Sequence, residues 1–103
     1  MRGQELVGVT EFHDKEGHKI QLEYYLLSEP RDIEEEIVIY GIEIKKIIKE
    51  NGTIKKEKEI ARAISYSQHY VEQLIQVLLR NQVTPMTMIE IIDEYITKEG
   101  LSA

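Results

Sequence analysis

The sequence predicts an α+β fold of ββββαα order: a four-stranded antiparallel sheet with two C-terminal helices packed on one face. Three observations carry this expectation. Ile20, Leu22, Tyr24 and Leu26 alternate with Gln21, Glu23 and Tyr25, the period of a strand with two unlike faces. Asn51 followed by Gly52 between β-rich flanks marks a two-residue hairpin turn, because both positions of a type I′ turn need positive φ. From Ser67 the apolar period lengthens to that of a helix, with Val71, Leu74, Ile75 and Leu78 on one stripe.

Taken in order, residues 5–12 and 19–27 read as the first hairpin, with Asp14, Lys15, Glu16 and Gly17 as its turn. A four-residue turn pairs His13 with His18, Val9 with Leu22, Val7 with Tyr24 and Leu6 with Tyr25. Residues 28–35 break the strand pattern around Pro30, which has no N–H for a ladder. The third strand spans 36–49, and Ile37 and Ile39 make its first half apolar on both faces. The fourth spans 53–60. Plain pairing across Asn51 and Gly52 sets Ile44 opposite Glu59, so a bulge near Lys45 and Lys46 is expected, returning Ile42 to Ile60. Ile44, Ile47 and Ile54 then share that side.

The first helix starts at an N-cap, Ser67, with Tyr66 and Val71 as a staple, and ends near Asn81. The second starts at Thr87, which forms a capping box with Glu90 and has Met86 and Ile91 as a possible staple, and carries Met88, Ile91, Ile92 and Tyr95. Gly100 closes it, with Leu101 folding back toward Ile96. The expected core packs Val7, Val9, Leu22, Tyr24, Val38, Tyr40, Ile42 and Ile44 against Val71, Leu74, Leu78, Ile91, Ile92 and Tyr95.

A chain of 103 residues suits one domain, residues 1–103, with one core. Its 42% hydrophobic and 31% charged residues place it among folded proteins. The absence of cysteine removes disulfides and thiolate chemistry and fits a reducing compartment, so a cytoplasmic protein is expected. No run approaches the roughly 20 apolar residues of a membrane span, and the start lacks an apolar signal core. A net charge of −6 opposes binding to phosphate backbones, so neither membrane nor nucleic acid is an expected partner.

Few residues suggest chemistry. His13, Asp14, Glu16 and His18 flank one turn and are the best candidates for a metal site, although polar residues are the ordinary content of a turn. Ser65 and Ser67 are explained by helix capping, His69 by a solvated helix turn, and Glu23 and Glu43 by the solvated side of the sheet. No glycine-rich phosphate loop is present, and no catalytic residue or cofactor is expected. Leu6, Tyr25, Leu27, Ile37 and Ile39 gather on the sheet face away from the helices, where either the 28–35 loop or another chain must cover them. Lys45, Lys46, Lys49, Lys55, Lys56 and Lys58 crowd the second hairpin, where they protect an exposed strand edge and offer a dock for an acidic partner such as Glu34, Glu35 and Glu36 of another copy.

Tyr24 to Leu27, Tyr40 to Ile44, and Asn81, Gln82, Val83, Thr84 and Pro85 ahead of the last helix resemble a family of short uncharacterised proteins from Clostridia and related Firmicutes. The likeness spans about residues 20 to 99 and implies a bacterial cytosolic setting, with no functional residue carried over. Two functions follow as expectations. The first is a non-enzymatic interaction or regulatory module that self-associates as a homodimer or binds a protein partner. The second is a small metal-binding protein or enzyme centred on His13 and His18.

Overall fold

The computed structural model describes residues 3–102, and the side chains of residues 3–98. The strands β1 (Gly3–His13), β2 (Lys19–Asp32), β3 (Ile37–Glu50) and β4 (Thr53–Ser65) form one antiparallel sheet in the order β1-β2-β3-β4. The helices α1 (Gln68–Arg80) and α2 (Pro85–Ser102) follow. The α+β meander with its two C-terminal helices is thus the architecture that the periodicities predict. Its elements need only short connections, so strand neighbours in sequence become neighbours in space.

Leu22, Tyr24, Ile42 and Ile44 from the sheet and Val71, Leu74, Ile75, Leu78 and Met88 from the helices are fully buried together. Ile20, Leu26, Val83 and Ile92 complete the cluster, with Val7, Phe12, Tyr40, Ile91 and Tyr95 packed around it. Within this core the Tyr24 hydroxyl donates to the Val83 carbonyl at 2.8 Å. Burial pushes the Tyr24 phenol well above its ordinary pKa, because a phenolate would lose its hydration there. Tyr24→Phe is expected to cost about 1 to 3 kcal/mol by stranding that carbonyl, a loss that urea unfolding would register.

The first hairpin differs from expectation by one residue. His13 pairs with Lys19, not His18, because His18 joins a five-residue loop held by Asp14. A register shift between Leu6 and Gly8 then absorbs Val7, and Leu6 still meets Tyr25. Thr10, rather than Val9, therefore faces Leu22, and Val9 leaves the core to stand 45% exposed. Val38 also lies outside the buried cluster.

β2 does not break at residues 28–35. It continues to Asp32, and the connection to β3 is a turn at residues 33–36 in which the Asp32 side chain accepts from the Glu34 and Glu35 N–H groups. Pro30 is accommodated at a register shift between Pro30 and Asp32, where the ladder is already irregular. Residues 28–32 are thus strand and 33–36 a turn, in place of a loop laid over the sheet.

The bulge expected near Lys45 and Lys46 is absent: β3 and β4 pair regularly from Glu50↔Thr53 to Ile42↔Ala61. Ile44 does stand opposite Glu59, and Ile60 stands opposite Glu43. By strand alternation, Ile47 and Ile54 lie on the face away from Ile44. The irregularity comes later and in the other strand, where Ile42↔Ala61 is followed by Tyr40↔Ser65, with Ala63 at φ 54°. Asn51 and Gly52 have φ of 47° and 80°, as the hairpin turn requires.

Ser67 caps α1 as expected, its hydroxyl accepting from the Tyr70 N–H at 3.2 Å. Tyr66, expected as a staple, is instead exposed. α1 ends with Gln82 at φ 49° and the Val83 N–H bonded to the Leu78 carbonyl at 3.0 Å, a Schellman close built on glutamine. α2 starts at Pro85 instead of Thr87, since proline at the first helical position needs no partner for an N–H. α2 runs on to Ser102, so Gly100 lies within the helix and does not close it, and the expected fold-back of Leu101 concerns a side chain outside the described ones.

Candidate functional site

Among the described residues, both helices pack on one side of the sheet, and the other face carries no covering element. Strand alternation and pairing place its side chains in rows that cross all four strands. One row runs Glu11, Gln21, Ile47, Lys56. The next runs Val9, Glu23, Lys45, Lys58. A third runs Leu6, Tyr25, Glu43, Ile60, and beyond it Gln4 pairs with Leu27 and Leu27 with Gly41.

Toward this end the face becomes a cleft of about 400 Å³. Leu27, Ile39, Gly41 and Glu43 line it on the middle strands, with Gln4 on one side and Arg62 and Ala63 on the other. Gly41 has a specific reason to be glycine: a Cβ there would lie 2.4 Å from the Ala61 carbonyl oxygen. The irregular end of β4 thus crosses close over β3 and raises one wall of the cleft.

Glu43 was expected on a solvated face. It does face away from the helices, but only 4% of it is exposed, and the Gln4 side-chain amide donates to it. Tyr25 lies beside it, with its hydroxyl donating to Glu23 at 2.8 Å and the Lys45 ammonium 4.6 Å from its ring centre. Burial, the bond to Glu23, and the negative charges of Glu23 and Glu43 push the Tyr25 phenol up to about 12. It stays a neutral donor at any physiological pH.

The five apolar residues expected on this face fare differently. Leu6 is half-exposed, Ile37 is exposed, and Tyr25 and Leu27 are half-buried. Ile39 is already 6% exposed inside the cleft. What remains open is therefore a mixed face of charged and apolar groups, not a purely apolar patch. The six lysines are divided by the pleat. Lys45, Lys49, Lys56 and Lys58 fall on the helix-free face, whereas Lys46 and Lys55 fall on the other and approach Glu57 at 3.9 Å and Glu50 at 3.7 Å.

At the first turn, Asp14, Glu16 and His18 bring ligand-type atoms within 4.8 Å of one another, and His13 is not part of the group. The turn itself accounts for Asp14. One carboxylate oxygen accepts from the Glu16 and His18 N–H groups, both at 2.9 Å, and the other meets His18 Nδ1 at 3.1 Å. The His18 N–H, foremost among these contacts, holds the Asp14 carboxyl below its ordinary 3.8. A lowered folded value means that ionised Asp14 stabilises the fold above pH 3.8 and that this contribution disappears as pH falls through the lowered value. Asp14→Asn is expected to flatten that acid limb in urea unfolding measured from neutral to strongly acid pH. An unchanged acid limb would show that the turn does not depend on the charge.

A family model described as "Family of unknown function (DUF6514)" matches residues 4–98. The chain belongs to that family. The match includes β1 and the whole lysine-rich hairpin, which lie partly or wholly outside the motifs that first suggested the resemblance. DUF6514 brings no activity with it. No curated protein and no solved structure matches the chain. No helix among the described residues is long and apolar enough to cross a membrane.

Sequence reasoning missed Glu43, Gln4 and Arg62 as parts of one cleft. Glu43 stands between Ile42 and Ile44, both fully buried, and that context was the available signal.

Proposed function

We propose that this chain is a non-enzymatic interaction module of the bacterial cytoplasm whose working surface is the helix-free face of the sheet. The carrying observation is that four strands of 11 to 14 residues are covered by helices on one face alone. A sheet needs one buried face to fold, and α1 and α2 supply it. The second face holds Leu6, Tyr25, Leu27, Ile47 and Ile60 among paired charges, the composition of a surface that meets another protein. Among the described residues lining its cleft, Glu43 is bonded to an amide and no nucleophile and base converge.

The test is photocross-linking in the native host, with the reactive residue at Ile47 on the helix-free face or at Met86 on α2. Discrete adducts from position 47 and none from position 86 are expected. Equal labelling from both positions would remove this face as the working surface.

A second reading takes Asp14, Glu16 and His18 as a metal site, favoured by their separation within 4.8 Å. Stoichiometric zinc, nickel or iron in purified protein, lost in His18→Ala, is the result that reading requires.

A further inference from the structure

We infer that the occupant of the helix-free face is a second copy of this chain, related by a two-fold axis running parallel to the strands between β2 and β3. This rests on the reading of that face as the working surface and names its partner.

The inference comes from how charge is distributed across the strands. On this face β1 and β2 carry Glu11, Glu23 and Glu29 against Lys19, whereas β3 and β4 carry Lys45, Lys49, Lys56, Lys58 and Arg62 against Glu43. One half is acidic and the other basic, in a chain whose total charge is −6. A two-fold axis across the strands would lay each half on its own kind. An axis along the strands lays the acidic half of each copy on the basic half of the other, which is what a self-complementary interface requires.

The rows then predict partners. Rotation about this axis reverses each row onto itself, so Lys56 of one copy meets Glu11 of the other, Lys45 meets Glu23, and Ile60 meets Leu6. Every such contact occurs twice. At the hairpin end Lys19 and Lys49 face each other, a like-charge contact at the open tip where solvent screens it.

Shape and size agree with the charge. A uniformly twisted sheet is carried by a two-fold along its strands onto a surface of the same form, so two copies can nest as aligned sheets do. Four strands spaced by about 4.8 Å and about eleven residues long at about 3.3 Å each present about 700 Å². That approaches the roughly 800 Å² per partner of a standard stable interface.

Glu11 and Lys56 lie on opposite edge strands, so no contact within one chain can link them. Glu11→Lys and Lys56→Glu should each weaken self-association about tenfold or more, because each sets like charges together twice. An equimolar mixture of the two variants should associate as tightly as wild type, since both contacts in the mixed dimer again pair a glutamate with a lysine. Sedimentation velocity over a concentration series, with circular dichroism confirming that both variants fold, reads all of this. Rescue by mixing supports the two-fold arrangement. A wild-type chain that stays monomeric at the highest concentration, or a dimer insensitive to both substitutions, overturns it. The first result leaves position 47 free to cross-link a different protein in the host, whereas failure of that cross-linking removes the face itself.

Discussion

Leu74→Ala is expected to lower stability by about 2 to 5 kcal/mol, a large share of what a domain of this size possesses. Leu74 is fully buried where α1 meets the sheet, among Leu22, Tyr24, Ile42 and Ile44. Truncation removes its transfer free energy and leaves a cavity that strands and helix cannot both close around. Val9→Ala is the informative control. The alternation of β1 alone would place Val9 in the core, but the structure turns it outward, so its truncation should change stability by less than about 0.5 kcal/mol. Urea unfolding of both variants measures the contrast, and a Val9→Ala loss as large as that of Leu74→Ala would return Val9 to the core.

The second large effect is expected at Gly41. Gly41→Ala should cost about 3 kcal/mol, the upper part of the range for overpacking, because the new methyl group would meet the Ala61 carbonyl at 2.4 Å and the Arg62 Cα at 3.1 Å. Both obstacles are backbone, and neither can turn aside. Gly8→Ala makes the comparison fair: its Cβ would lie 2.7 Å from Leu79 Cδ2, the end of a flexible side chain that can change rotamer. Gly8→Ala should therefore cost clearly less than Gly41→Ala. Equal thermal unfolding midpoints for the two would mean that β4 does not cross close over β3, and the wall of the cleft would have to be drawn differently.

The helix stripe that contains Leu74 is a repeat that only a helix face satisfies, and Asn51 with Gly52 admits one kind of turn, so element order and the buried face of each element were legible. Register was not. A strand shifted by one residue presents its other face, and the choice rests on small local bonds: Asp14 binding the His18 N–H lengthens the first loop by one residue and turns Val9 outward. In β3 and β4 the conflict between Ile44 and Glu59 was visible, but its resolution lay downstream. β4 accepts Glu59 opposite Ile44 and restores apolar contact only at Ala61, before its irregular end. Pro30 misled for a similar reason, since proline interrupts a ladder only where an N–H is required, and here Pro30 keeps its pairing with Val38 beside a register shift.

The candidate site was half legible. Leu6, Tyr25, Leu27, Ile37 and Ile39 were assigned to one face from alternation; the pairing partners of Leu6, Tyr25, Leu27 and Ile39 agree, whereas Ile37 pairs with Asp32 beyond a register shift. The cleft was not foreseen, because it depends on the backbone of β4 rising over Gly41 and on Gln4 reaching Glu43 across the sheet. Both are long-range contacts that no local pattern encodes. The division of the lysines by the pleat was available from their numbering alone once the regular pairing of β3 and β4 was accepted.

If the helix-free face is where this chain meets its partner, thiol reactivity there should fall on association. The chain has no cysteine, so Ile47→Cys reports on that face and Met86→Cys on the solvent side of α2 without background. The rate of alkylation would be followed for each variant in dilute pure protein, in concentrated pure protein and in extract of the native host. Cys at position 47 should react freely only when dilute and become protected as concentration rises, while position 86 should react equally in all three. Position 47 reacting as fast in concentrated protein and in extract as in dilute solution would contradict it.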